Sequence, residues 1–121
     1  MDKFELMTRT KKFSVNVFFL VDALPDSKAS NNLVYQILKS SSSVAANYRA
    51  ACRAKSSADF FNKIKIVEEE ADETLFWLEY MQDVKLVKNE EKHTILKQEA
   101  NELVAIFSKT LQTLRNKKPF K

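Results

Sequence analysis

Glycine is absent from this chain of 121 residues, and proline occurs only twice. Tight hairpins and strand bends draw on residues that tolerate positive φ, glycine above all, so a β-rich fold is disfavoured. The same absence excludes a phosphate-cradling loop and a nucleophile elbow, both of which need glycine where the backbone turns sharply or meets a ligand. A single cysteine, Cys52, permits no internal disulfide and suits a reducing cytoplasm. It follows two alanines on a helix and is expected to be a small packed thiol. A single histidine, His93, stands at no position that could serve Cys52 or the serines in nucleophilic catalysis. Long apolar runs are also missing. Phe13 to Leu24, the best of them, is interrupted by Ser14, Asn16 and Asp22 and is too short to span a bilayer. Met1 to Thr10 lacks the apolar stretch of a signal peptide. One cytoplasmic domain without membrane contact is the expectation.

What the chain has instead is helical periodicity. The first helix is expected from Phe4 to Leu24, with Leu6, Phe13, Val17, Leu20 and Leu24 on one stripe. Val15, Phe18, Phe19 and Val21 lie off it, so the second half is apolar nearly all round. That surplus points to a second burial surface, most simply another subunit; the alternative is a wide groove that absorbs these side chains. Pro25 ends the helix, and Asp26 or Ser27 can cap the next. The second helix runs from about Ala29 to Ala54 through Leu33, Ile37, Val44, Tyr48 and Cys52. Ser40 to Ser43 sit in its middle, and the apolar period resumes in phase after them. They therefore read as small residues at a close helix approach, with hydroxyls bonded back to the preceding turn, and not as a linker. The third helix, from about Ala58 to Val84, starts at Ser56 with Asp59 three residues on, much like a capping box. The fourth, Glu90 to Leu114, starts at Asn89 and carries Leu96, Ala100, Leu103, Phe107, Thr110 and Leu114 at heptad-like steps. Asn116 to Lys121 is a basic tail. Four helices with short connections predict one all-α domain, an antiparallel up-down-up-down four-helix bundle.

Charge is arranged in two ways. On the third helix Asp59, Lys63, Ile66, Glu70, Glu73 and Trp77 share a face beside the apolar stripe of Phe60, Ile64, Val67, Ala71, Leu75, Leu78 and Met81. Acids at such spacing need partners, because burying them unpaired is costly. The nearest cations are Arg49 and Arg53, so the expectation is a polar seam built from Asn47, Arg49, Arg53, Asp59, Glu70, Glu73 and Glu79. Tyr48 and Trp77 are expected in the core. The second arrangement follows from topology. The chain start, the turn between helices two and three, and the chain end fall at one pole, which gathers thirteen of the twenty Lys and Arg and three of the sixteen acids. Such a pole suits phosphate. Its candidate contacts are Arg49, Arg53, Lys55, Lys63, Arg115, Lys117 and Lys118. For Arg49 and Arg53 the structural and phosphate roles are both open, with the structural one favoured for Arg49.

Enzymatic readings are thin. Carboxylate bundles hold two metals with a pair of Glu-x-x-His motifs, but only Glu90-x-x-His93 is present, in the first turn of a helix, beside the carboxylate pair Glu70 and Glu73. A second half-site cannot exist in one subunit. No metal, no cofactor and no catalytic residue is expected, and His93 is expected at the surface.

The stretch SVAANYRAACRAKSSADFFNKIKIVEEEADETLFWLEYM, with its Asn-Tyr-Arg, Cys-Arg-Ala and Glu-Ala-Asp-Glu-Thr elements, resembles the signature of a bacterial family. Its members are called four helix bundle proteins, or 23S rRNA intervening-sequence proteins. The similarity extends to Phe13-Ser14-Val15, Leu24-Pro25, Glu102-Leu103 and Ile106-Phe107. It implies an antiparallel four-helix bundle and a ring-like homo-oligomer, a pentamer. Some members are encoded inside insertions in ribosomal RNA genes, and a branch serves diversity-generating retroelements, where a basic pentamer binds nucleic acid and assists a reverse transcriptase. RNA or a ribonucleoprotein is the partner expected from this, and a purely structural protein–protein assembly module is the alternative. No enzymatic activity is implied. The motif positions here are Asn47, Tyr48, Arg49, Arg53, Asp59, Lys63, Glu70, Asp72, Glu73, Trp77 and Glu79. This chain departs from the retroelement branch in its modest basic excess, a net charge of +4.

Overall fold

The structure, a computed structural model, describes residues 1–117. Among them are four helices and no strand: α1 Lys3–Asp22, α2 Lys28–Ala51, α3 Ser57–Asp83 and α4 Glu90–Asn116. Each start is set by a side chain that accepts an otherwise unpaired backbone N–H. Asp2 and Glu5 form a reciprocal capping box on α1, Ser27 caps α2, Ser56 caps α3 through the Asp59 N–H, and Asn89 caps α4 through the Lys92 N–H. Without glycine, the end of α3 places Lys85 in the left-handed region at φ 62°. The Leu86 N–H then reaches the Met81 carbonyl and the Lys85 N–H reaches that of Gln82, the double closure of a Schellman motif.

Consecutive helices pack against each other, and α4 returns to α1 to close the square; α1 lies diagonal to α3. The bundle is therefore all-α and antiparallel, in the topology expected from its short connections. Its core is a column of Phe13, Val17, Ile37, Val44, Ile64, Val67, Leu78, Met81, Leu103 and Phe107, all at most 2 % exposed. The stripe expected on α3 is buried at Ile64, Val67, Ala71, Leu78 and Met81, with Phe60 and Leu75 half-buried at its margin. The α4 seam holds through Leu96, Ala100, Leu103 and Phe107, then continues through Leu111, leaving Thr110 and Leu114 half-buried.

The serine run behaves as small residues at a close approach. Ser40 and Ser41 are buried, and the hydroxyls of Ser40, Ser41 and Ser42 lie against carbonyls three residues back. The Thr74 hydroxyl on α3 lies 2.8 Å from both Ser40 Oγ and the Glu70 carbonyl. Two expectations fail. Val21 is buried, because it follows Phe13 and Val17 at four-residue steps on the inward side of α1, whereas Val15, Phe18 and Phe19 stay exposed. His93 is buried, at 2 % exposure, with its Nε2 2.7 Å from the Leu78 carbonyl. It lies one turn before Leu96 and so continues the inward seam of α4. Among the described residues no helix is long and apolar enough to cross a membrane.

Candidate nucleic-acid interface

The pole that holds Met1 also holds the end of α2, the start of α3 and the end of α4. Two contacts tie these ends together. Tyr48 packs on Phe107 at 5.5 Å between ring centroids, and the Arg115 guanidinium lies 5.3 Å from the Phe61 ring centroid. Burial pushes the Tyr48 hydroxyl up, assisted by its hydrogen bond with Cys52 and by the charge of Asp2. A tyrosine already neutral at pH 7 simply stays so.

The polar seam does not form. Among the described residues Arg49 and Arg53 make no ion pair with Glu70, Glu73 or Glu79. The physical reason is direction. Arg49 leans toward α1, where it lines a groove with Met7, Lys11, Val15 and Ala46, and Arg53 is exposed in the turn beyond α2. Each acid settles locally instead. Asp59 takes the Lys63 ammonium at 2.7 Å and the Lys55 backbone N–H at 3.0 Å. That lysine, then the N–H, holds the Asp59 carboxyl below its ordinary value. Glu73 accepts from Trp77 Nε1 at 3.1 Å and is exposed, and Trp77 itself is only half-buried. Asp72 and Glu79 are exposed. Half-buried Glu70 has no cation within ion-pair distance among the described residues, and its carboxyl is pushed up by burial first, then by Glu73. Asn47 bonds its own helix, to the Ser43 carbonyl and hydroxyl at 2.9 Å.

Among the described residues the ion pairing that crosses between helices is centred on Arg9, which nothing local in the sequence announces. Arg9 on α1 forks onto Glu99 of α4 at 2.6 and 2.7 Å and reaches Glu102 at 2.8 Å. Hydrogen bonding to Glu99, and next to Glu102, pushes the guanidinium further into its charged form. The pair bridges the least intimate helix contact of the bundle, beside a cleft of about 360 Å³ between α1 and α4. On the neighbouring edge, Ser108 of α4 donates to the Glu68 carboxylate of α3.

These pairings sort the pole's cations. Arg9 and Lys63 are neutralised by carboxylates. Arg115 is stacked on a ring but keeps its charge. Lys11, Lys12, Arg49, Arg53, Lys55, Lys65 and Lys117 are exposed and have no carboxylate within ion-pair distance among the described residues. Around the α2–α3 turn, Arg53 and Lys55 stand together with Lys63, and the stacked Arg115 brings Lys117 alongside the start of α3. Arg49 sits apart, about a turn up the α1–α2 groove. Lys118 lies outside the described residues.

One further feature carries surface chemistry. Phe76, Trp77 and Tyr80 form an aromatic cluster on the outer side of α3, with centroids 4.9 to 6.0 Å apart. Phe76 and Tyr80 are 51 % and 42 % exposed. Their four-residue spacing off the core stripe was the signal in the sequence. Among the described residues no three His, Cys, Asp or Glu side chains stand close enough to hold a metal ion.

The family described as 23S rRNA-intervening sequence protein matches residues 2–109. A crystal structure from Bacteroides thetaiotaomicron, of a protein with unknown function from the S23 ribosomal protein family, is similar at a TM-score of 0.82 and 28 % identity, covering 93 % of this chain and 99 % of that one. No curated protein matches.

Proposed function

The chain belongs to the 23S rRNA-intervening sequence protein family, and we propose that it is a non-enzymatic, self-associating bundle that holds RNA against its basic pole. The observation that carries this is the sorting of cations. Arg53, Lys55, Lys65 and Lys117 are exposed at the end of the molecule without carboxylate partners among the described residues, so their charge is available to a polyanion. Arginine forks onto phosphate oxygens, and lysine acts as a point charge beside it. Among the described residues no exposed aromatic cluster accompanies these cations, so binding is electrostatic and tolerant of sequence. Lys63 drops out as a direct contact, because Asp59 holds its ammonium.

Self-association is supported by exposed Val15, Phe18 and Phe19 on α1, an apolar surplus that a lone bundle has no reason to keep in water. A pentamer is the stoichiometry implied by the resemblance, and sedimentation velocity measures it. For RNA, anisotropy titrations with labelled single-stranded and structured probes across a salt series are the test. Affinity should fall steeply with salt, with a log–log slope of about −0.7 per phosphate contacted on single strands. Arg53→Glu combined with Lys55→Glu should weaken binding at least ~10-fold at low salt and flatten that slope. Affinity indifferent to salt, or untouched by the double reversal, would overturn the proposal.

A further inference from the structure

Two faces of the bundle lie open, and they are complementary. On the outer side of α1, Val15, Phe18 and Phe19 are exposed, the two rings edge-on at 5.3 Å. Lys11 and Lys12 follow toward the basic pole, with Arg49 across the α1–α2 groove from Lys11. On the outer side of α3, the Phe76–Trp77–Tyr80 cluster sits among Glu69, Asp72, Glu73 and Glu79, all exposed. Because α1 and α3 are diagonal, these faces point away from each other, and every copy carries both.

We propose that they mate: the α1 face of one copy seats on the α3 face of the next, side by side, with the basic poles aligned. This rests on the self-association proposed above and names its surfaces. Two arguments select the arrangement. The first is charge. With the basic poles on the same side, pairing α1 with α1 sets lysines against lysines, and pairing α3 with α3 sets carboxylates against carboxylates, whereas α1 on α3 pairs unlike charges around an apolar centre. Such a contact is heterologous, so it leaves each copy a free face at either end until a ring closes.

The second argument is height along the bundle. The Ser40–Thr74 contact fixes one level shared by α2 and α3. Phe18 and Phe19 share a groove with Leu38, two residues before Ser40. On antiparallel α3 that level is Phe76, two residues beyond Thr74. Lys11 shares its groove with Ala45 and Ala46, five and six residues after Ser40, which corresponds to Glu69 and Glu68 on α3. Two copies at equal height therefore oppose phenylalanine to phenylalanine and lysine to glutamate without sliding, where each residue of slip would displace the pairs by about 1.5 Å. The cations divide accordingly. Lys11, Lys12 and Arg49 serve the protein contact, while Arg53, Lys55 and Lys117 remain on the shared basic side.

Sedimentation velocity on the full chain tests this with two variants. Val15→Glu/Phe19→Glu spoils the α1 face, and Phe76→Glu/Tyr80→Glu spoils the α3 face. All four side chains are exposed, and circular dichroism verifies the helices. Each variant alone should be monomeric, and an equimolar mixture should give a 1:1 dimer and nothing larger, since one intact contact remains. An α3 variant that still assembles like the parent, or a mixture that stays monomeric, overturns the proposal. A parent chain that is itself monomeric overturns the self-association as well, which separates the two failures. Should either variant unfold, Lys11→Glu and Glu69→Lys replace them. Each should weaken assembly roughly two- to fivefold at low salt, and the two together in one chain should restore it; no restoration overturns the register.

Discussion

Glu70 shows what happens to a carboxylate at core-like spacing when its cation points elsewhere. Burial raises its pKa above the ordinary carboxylate value, Glu73 and Glu69 add to the rise, and Lys39 opposes them. A carboxyl with a raised folded pKa binds its proton more tightly in the native state than in the unfolded chain. Stability is therefore lost as pH rises from the ordinary value through the raised one, and the deficit stays in place above it. Glu70→Gln cannot ionise. It should be the more stable protein at pH 7, by less than about 1 kcal/mol because the site is only partly buried. The advantage should shrink as pH falls through that window, as read by thermal melts at successive pH values. The missing seam has a plain cause. Helical spacing tells which side chains share a face, but not which way a long arginine leans, and Arg49 leaned to α1. Nor did anything local announce Arg9 with Glu99, partners 90 residues apart. His93 goes inward because its phase on α4 prevails over its polarity once the Leu78 carbonyl meets the ring nitrogen.

The helices themselves were largely legible. Caps at Ser56 and Asn89, the stripe on α3 and the serines of α2 all follow from local chemistry and period. The α4 seam drifted where a strict heptad was extended too far: a straight helix has 3.6 residues per turn, so the inward position passes to Leu111 and not to Thr110. The α2–α3 contact gives a sharp expectation. Ser40 is 1 % exposed and touches Thr74, so the two helices meet over a side chain of two heavy atoms. Ser40→Leu should destabilise the bundle by about 1–3 kcal/mol through overpacking. Ser42→Ala, on the exposed side of the same helix, should change stability by no more than ~0.5 kcal/mol. Urea unfolding of both variants checks the contrast.

For the molecule as a whole, topology followed from four periodic segments and short connections, and with it the gathering of basic residues at one end. Which of those residues are free could not be read from the chain, because Arg9 and Lys63 are claimed by acids that only the fold brings near. If copies associate through faces that a lone bundle leaves wet, folding and assembly are linked. Each tenfold rise in protein concentration should then lift the melting temperature by a few degrees, and the Phe76→Glu/Tyr80→Glu variant should lose that dependence. Differential scanning calorimetry over two decades of concentration reads this directly.

An even number of antiparallel helices returns the polypeptide to the side from which it set out. Residues 1 and 117 both leave from the basic end, while the α1–α2 and α3–α4 connections turn at the other. Any polypeptide joined at either extremity, whether an affinity handle, a fluorophore or a natural extension, therefore hangs over the charged surface. A reporter meant to leave that surface clear belongs in the loop around Asp26 or around Lys88.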